Sequence, residues 1–158
     1  MSVIVRIAVP ADVPAMVALS AAKRAAYTRA VPFFWRPAAD ADAKQDSWFH
    51  HLLARDTTIA LVADGASGPD GFVIGLVQSA PPVYDPGGSV LAIDDFCVRD
   101  PALWATVGEA LLREARARAR ERGAVIVIVV CGVHDAPKRA LFGPDTYSAT
   151  SHWFTAPI

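Results

Sequence analysis

The segment 90–131 constrains the fold of this chain more than any other stretch. Its first part, 90–98, has the apolar pattern of a strand, and a long helical pattern follows it. Gly123 is a favourable residue for ending that helix, and a near-continuous run of Val and Ile at 124–131 predicts a strand buried on both faces. A strand, a helix and a strand in this order are expected to form a right-handed crossover between two parallel strands.

The remaining sequence alternates between strand and helix periodicity, with turn residues between the segments. These patterns predict an α/β fold: one mixed, mostly antiparallel sheet with a single parallel β-α-β crossover and helices on both faces. The length of 158 residues fits a single domain, 1–158. The other predicted elements are a strand at 3–8, helices at 13–29 and 40–54, a hairpin of strands at 57–63 and 72–79, a helix at 136–142 and a strand at 148–155.

Composition excludes several classes of protein. The net charge of −1 gives no reason to expect nucleic acid as a partner. Both cysteines lie in apolar, strand-like runs, and no Cys-x-x-Cys or His-x-x-x-His spacing occurs, so we expect neither a disulfide framework nor a metal site. No apolar run reaches the roughly 20 residues that span a bilayer, and the N-terminus does not resemble a signal peptide. We therefore expect a cytoplasmic protein without a membrane segment.

The junction between the strand 90–98 and the following helix is a candidate anion site, because a helix start presents unpaired N–H groups. Asp100 followed by Pro101 resembles an N-cap with proline at the first helical position. Thr106 and Glu109 have the spacing of a capping box. We expect a first turn at 100–105, a proper helix from Thr106, and N–H groups of 104–108 that converge on one point. A well-capped helix without any ligand explains the same residues.

The segment Ile93-Asp94-Asp95-Phe96-Cys97-Val98, together with the order of elements, resembles the GCN5-related superfamily of acetyl-CoA-dependent N-acetyltransferases. The resemblance covers nearly the whole chain in element order and is sharpest from 90 to 131. It implies an acyl-CoA N-acyltransferase-like fold with acetyl-CoA as co-substrate. In that family Arg or Gln-x-x-Gly-x-Gly or Ala follows the strand, and Leu103, Thr106 and Gly108 occupy the three motif positions here. Only Gly108 matches.

The resemblance also implies where acetyl-CoA is bound. Main-chain groups of the strand edge are expected to pair with the pantetheine arm, and backbone amides of the following turn are expected to hold the pyrophosphate. A family tyrosine that protonates the departing thiolate corresponds to Phe142, which has no proton to give. The implied cofactor-binding residues are Phe96, Cys97 and Val98 on the strand and Leu103, Trp104, Ala105, Thr106, Val107 and Gly108 on the turn.

Three residues are candidates for proton transfer: Asp94, Asp95 and His134. Neighbouring strand residues point to opposite faces unless a bulge redirects one, so a regular strand brings only one of the two aspartates to the reacting centre. Asp94 aligns with the acid that the family uses as base, and His134 follows the buried strand near the implied acetyl position. Ordinary ion pairing and an uninvolved loop histidine are the alternatives.

An aromatic stretch in the irregular region after the first helix, Phe33, Phe34 and Trp35, is a candidate wall for the acceptor substrate. The sequence therefore predicts an N-acetyltransferase that transfers an acetyl group from acetyl-CoA to a primary amine of a small molecule or peptide by direct attack. A homodimer is compatible with this prediction. The altered motif and Phe142 instead favour a non-catalytic acyl-CoA-binding sensor on the same fold, or an interaction domain that has lost the cofactor.

Overall fold

A computed structural model of the protein describes residues 3–158. The helices are α1 (Val13–Ala30), α2 (Ala41–Leu53), α3 (Glu109–Glu121) and α4 (Ala136–Arg139), and the strands are β1 (Val5–Ile7), β2 (Thr58–Ala63), β3 (Gly71–Gln78), β4 (Ser89–Val98) and β5 (Ala124–Val129).

The five strands of the described residues form one sheet in the order β1-β2-β3-β4-β5. Pairing is antiparallel from β1 to β4, whereas β4 and β5 are parallel and α3 connects them. The predicted hairpin corresponds to β2 and β3, and the predicted crossover to β4, α3 and β5. The predicted fold class, a mixed and mostly antiparallel sheet with one parallel crossover, is confirmed.

Each face of the sheet carries its own hydrophobic core, as the prediction of helices on both faces requires. On one face Leu111, Leu112 and Ala115 of α3 pack against inward residues of β2 to β4. On the other face Met16 of α1 and Phe49 of α2 cover the opposite side of the same strands. The alternation of side chains along each strand separates the two cores. Among residues 3–158, no helix combines the length and apolar character needed to cross a membrane.

The start of α3 differs from the prediction, whereas its end does not. Gly123 follows the helix with a φ of 82°, a left-handed conformation that glycine adopts without strain. At the start, the Asp100 carboxylate accepts the Ala102 N–H at 2.8 Å, as an N-cap does. A 3₁₀ turn and a π-helical turn, Trp104–Gly108, then precede Glu109. Thr106 Oγ1 donates to the Leu103 carbonyl at 3.4 Å, so the predicted capping box and helix start at Thr106 are wrong.

Two predictions at the far edge of the sheet are also wrong. β5 is not buried on both faces: Val125, Ile126 and Ile128 are each about half exposed. The reason is that α1 packs on β4 and not on β5, and in the described residues no strand lies beyond β5. The predicted strand at 148–155 is irregular and exposed instead. The chain leaves the core after Tyr147, whose hydroxyl accepts a hydrogen bond from Arg116 at 3.2 Å.

Candidate active site

A β-bulge in β4 places both candidate aspartates on the same face of the sheet. Asp95 pairs with Ile74 and Ile93 pairs with Gly75, so Asp94 has no partner in β3. Ile93 and Phe96 both lie in the core beneath α3. The two residues between them therefore leave the sheet on the opposite side, which α1 and α2 cover. The bulge thus overrides the strict alternation that would have separated the two carboxylates.

Asp95 is the more buried of the two carboxylates and is held by both helices of that face. Lys23 Nζ of α1 lies 3.6 Å from Asp95 Oδ1, and Gln45 Nε2 of α2 donates to the same oxygen at 3.5 Å. Burial raises the pKa of Asp95, and the Lys23 charge opposes that rise. Burial alone would lower the pKa of Lys23, but the acidic groups around it, including Asp95 and Asp94, raise it. Asp94 itself is exposed beside this pair.

Tyr27 connects α1 to the segment after β5. Its hydroxyl accepts the Gly132 N–H at 3.1 Å and donates to Asp135 Oδ2 at 3.2 Å. Burial raises the pKa of Tyr27, so the phenol remains protonated and able to donate. The His134 ring contacts the Tyr27 ring edge-on, with 4.5 Å between centroids. The predicted base His134 therefore lies in an aromatic contact at the rim of the site.

The predicted acceptor wall is only partly assembled. The Trp35 ring lies 5.4 Å from the Tyr27 ring and 4.6 Å from the Phe34 ring, so Phe34 and Trp35 extend the aromatic cluster toward the site. Phe33 is half exposed. Nearby, a surface groove between α1 and the segment 37–43 is lined mainly by alanines together with Arg24, Asp40 and Asp42.

The parallel strands β4 and β5 diverge next to the two aspartates. Their last shared bond runs from the Val130 N–H to the Ile93 carbonyl at 3.0 Å, and no later residue of β4 is in register with β5 in the described chain. Cys97 pairs with Phe72 in the antiparallel ladder, so the main-chain groups of Phe96 and Val98 point away from β3. They face the space between β4 and the residues after β5, which we call the interstrand gap.

The Lys138 side chain bridges this gap, and the Trp104 ring lies beside its ammonium group. Lys138, which is 1% exposed, donates from Nζ to the Val130 carbonyl at 3.0 Å and to the Phe96 carbonyl at 3.4 Å. The Trp104 ring packs edge-on against the Phe96 ring at 4.8 Å, and Nζ lies over both rings. A Cβ atom on Gly108 would lie 2.6 Å from the Trp104 ring. The glycine that matches the family motif therefore makes room for an indole of this same chain.

The turn before α3 uses several of its own N–H groups internally. The Leu103 N–H donates to the Asp100 carbonyl at 2.9 Å, and the Trp104 N–H donates to the Pro101 carbonyl. Pro101 has no N–H to offer. Any free donor for an anion therefore comes no earlier than Ala105, and the Asp100 carboxylate that precedes the turn is exposed. Ala105 and Thr106 are exposed, whereas Val107 is buried.

Sequence reasoning missed Lys23, Tyr27, Gln45 and Lys138. A signal for the first two was present, because residues 13, 16, 20, 23 and 27 continue one helical stripe of α1 toward the sheet. A lysine and a tyrosine on an otherwise core-facing stripe indicate a polar site beneath it. Lys138 follows no such pattern, since α4 has only four residues. No cluster of three or more His, Cys, Asp or Glu side chains that could hold a metal ion occurs in residues 3–158.

Comparison with solved structures shows which proteins share this architecture. A structure of a mutant of the BH1408 protein from Bacillus halodurans matches with a TM-score of 0.83 at 12% identity, covering 98% of this chain and 99% of that one. A predicted acetyltransferase with acetyl-CoA from Clostridium acetobutylicum matches with a TM-score of 0.72 at 17% identity, covering 98% and 96%. A ribosomal-protein-alanine N-acetyltransferase from Brucella melitensis biovar Abortus 2308 gives 0.66 at 20% identity, covering 99% of both chains.

These matches extend over nearly the whole length of each chain, so they concern the complete arrangement of helices and strands. No family model and no curated protein matches the sequence itself. The order and direction of the strands and the coverage of these solved structures agree on one architecture. The chain has the fold of the GCN5-related N-acetyltransferase superfamily.

Proposed function

We propose that the protein is an acetyl-CoA-dependent N-acetyltransferase that acts on a primary amine. One observation carries the proposal: the bulge in β4 brings Asp94 and Asp95 to one face immediately after the last residue at which β4 pairs with β5. The acetyltransferases among the structural neighbours, one of them with acetyl-CoA, support acetyl transfer as the general chemistry. The groove between α1 and the segment 37–43 is the proposed binding site for the acceptor amine.

In this proposal the main-chain groups of Phe96 and Val98 bind the pantetheine arm from the interstrand gap, and amides from Ala105 onward contact the pyrophosphate. The acceptor nitrogen attacks the thioester carbonyl carbon, a C–N bond forms, the C–S bond breaks, and CoA leaves as the thiolate, which solvent protonates. Asp94, which is exposed, takes the proton that the amine loses. Asp95 acts as a positioning residue, because it holds Lys23 and Gln45 beneath the reacting centre.

The acceptor is proposed to enter along the groove beside α1 and to contact Trp35, whose carbonyl accepts a hydrogen bond from Thr28 in the groove wall. The acidic residues of this region do not by themselves select a cationic amine. Asp42 pairs with Arg24, Asp40 lies 2.9 Å from Lys44 Nζ, and Asp46 lies 3.7 Å from His50 Nε2. We therefore propose a small amine that is bound through aromatic and apolar contacts, with its nitrogen directed at Asp94.

The test combines calorimetry with a thiol-release assay. We expect the wild-type protein to bind acetyl-CoA and to release CoA with a panel of primary amines. Asp94→Asn should lower kcat at least about 100-fold, the usual contribution of a general base, and leave the Kd for acetyl-CoA unchanged. Asp145→Asn, a change of an exposed aspartate in the segment after α4, is the matched control and should leave both quantities unchanged. An unaltered rate in Asp94→Asn refutes the role given to Asp94.

A second function, binding of acyl-CoA without catalysis, is favoured by one specific observation. Phe142, which occupies the position of the family's tyrosine, has no proton to give, and its ring packs against the Tyr147 ring with 5.1 Å between centroids. Binding of acetyl-CoA without thiol release across the amine panel supports this sensor function. Absence of binding at millimolar acetyl-CoA refutes both functions.

A further inference from the structure

Lys138 is a buried ammonium whose contacts include no ion pair. None of the salt bridges among residues 3–158 includes it. Its contacts are instead the carbonyls of Val130 and Phe96 and the faces of the Phe96 and Trp104 rings. An isolated buried charge is costly, so a lysine in this position needs these neutral partners to remain inside the protein.

The two carbonyls that accept from Lys138 belong to the two strands that diverge. The Phe96 carbonyl faces the interstrand gap from β4, and the Val130 carbonyl lies directly after β5. The backbone of a parallel ladder would normally bridge such strands, but that ladder ends at Ile93 and Val130. The ammonium therefore replaces the missing ladder bonds with one side-chain bridge.

We infer that Lys138 is a latch that closes the interstrand gap, and that any ligand lying along Phe96 and Val98 must displace it. The inference rests on the proposed function, since it concerns access of acyl-CoA to the same gap. Lys138 belongs to α4, a helix of a single turn. The segment before α4 is fixed to α1, because the Gly132 N–H donates to the Tyr27 hydroxyl. Release requires Nζ to leave two carbonyls and two rings, with no change in the sheet itself.

The first test compares acetyl-CoA binding by calorimetry in the wild-type protein, in Lys138→Ala and in Lys44→Ala. Lys44 is a largely exposed residue of α2 and serves as the control. We expect Lys138→Ala to bind about tenfold tighter or more, because the bonds of the latch no longer have to be broken, and Lys44→Ala to match the wild type. Tighter binding, or binding seen only in Lys138→Ala, supports the latch.

The other outcomes separate the two proposals. Equal affinities in all three proteins refute the latch and leave the proposed function standing. Absence of binding in all three refutes the proposed function, and it refutes the latch as well, because removal of the lysine has then opened no ligand site. Thermal unfolding of each variant establishes that the comparison is made between folded proteins.

A second test needs no variant, because Lys23, Lys44 and Lys138 are the only lysines of the chain. Reductive methylation followed by peptide mass spectrometry reports each amine separately. We expect Lys138 to react at least about tenfold more slowly than Lys44 in the free protein, and about tenfold faster once saturating CoA has displaced it. Free CoA is used as the ligand so that no acetyl group reaches the amine. Equal rates for Lys44 and Lys138 in the free protein, or no acceleration of Lys138 by bound CoA, refute the latch.

Discussion

Removal of the Asp12 carboxylate should weaken the attachment of α1 to the sheet. Arg6 of β1 donates to Asp12 from both terminal nitrogens, at 2.7 and 2.8 Å, and the Val9 N–H donates to the same carboxylate at 2.8 Å. Asp12 is buried and immediately precedes α1, the helix that carries Lys23 and Tyr27 into the candidate site. Two variants separate its roles: Asp12→Ala removes all three hydrogen bonds, whereas Asp12→Asn keeps an acceptor for Val9 and loses the charge.

The magnitude follows from these contacts. The Arg6 side chain is 39% exposed, so its bidentate pair with Asp12 is partly screened and contributes about 1–2 kcal/mol. The bond from the Val9 N–H adds about 1 kcal/mol. Asp12→Ala should therefore lower the free energy of unfolding by about 2–3 kcal/mol, and Tm by about 5–10 °C for a chain of this length. Asp12→Asn should lose only the about 1–2 kcal/mol that depends on the charge, because it keeps the bond from the Val9 N–H.

Urea unfolding between about pH 7 and pH 3 measures this contribution and its sign. The hydrogen bond from Arg6 is the largest influence on the Asp12 carboxyl and holds its pKa below the ordinary 3.8, despite burial. The stabilisation is therefore fully present above pH 3.8 and is lost as the pH falls through the lower folded pKa. The difference between wild type and Asp12→Ala should shrink accordingly. The reasoning is refuted if Asp12→Ala lowers the free energy of unfolding by less than about 0.5 kcal/mol, or by the same amount at pH 7 and pH 3.

Three further changes test the interstrand gap through stability alone. Burial lowers the pKa of Lys138 below its ordinary 10.5, so the lysine binds its proton more tightly in the unfolded chain than in the folded protein. The free energy of unfolding should therefore rise as the pH increases toward 10.5. Lys138→Met should abolish the share of this rise that comes from Lys138. Trp104→Ala should cost about 3–5 kcal/mol in urea unfolding, because the indole is buried, whereas Trp153→Ala, which removes an exposed indole, should cost less than about 0.5 kcal/mol. Gly108→Ala should cost about 1–3 kcal/mol by thermal unfolding, since its Cβ would overlap the Trp104 ring; a neutral effect contradicts that packing.

The bulge at Asp94 shows that sequence patterns alone do not determine on which face of the sheet the two aspartates lie. Alternation along a strand predicts that Asp94 and Asp95 face opposite ways, and a bulge was the recognised exception. Whether the exception occurs depends on how Ile74 and Gly75 of β3 pair with β4. A Cβ on Gly75 would lie 2.7 Å from the end of the Leu91 side chain, so glycine at this position permits the close approach of that side chain to β3. That approach is a property of the assembled sheet.

β5 shows that the composition of a strand does not determine how deeply the strand is buried. A run of Val and Ile has the composition of a strand buried on both faces, and the strand and its parallel pairing are as predicted. Burial depends on neighbours, however, and here α3 covers one face while α1 lies over β4. The aliphatic run therefore determines that a strand forms, and the positions of the helices determine how much of it is exposed.

Local periodicity, turn residues and the Gly123 cap were enough to determine the order of elements as far as α4, the parallel crossover and the placement of helices on both faces, because these depend largely on interactions between residues close in the chain. The content of the interstrand gap was decided only by tertiary structure. Lys138 reaches the Phe96 carbonyl across 42 positions of sequence, and the Trp104 ring packs on the Phe96 ring. Such contacts have no local periodicity, since they arise only when α4, the turn before α3 and the ends of β4 and β5 meet.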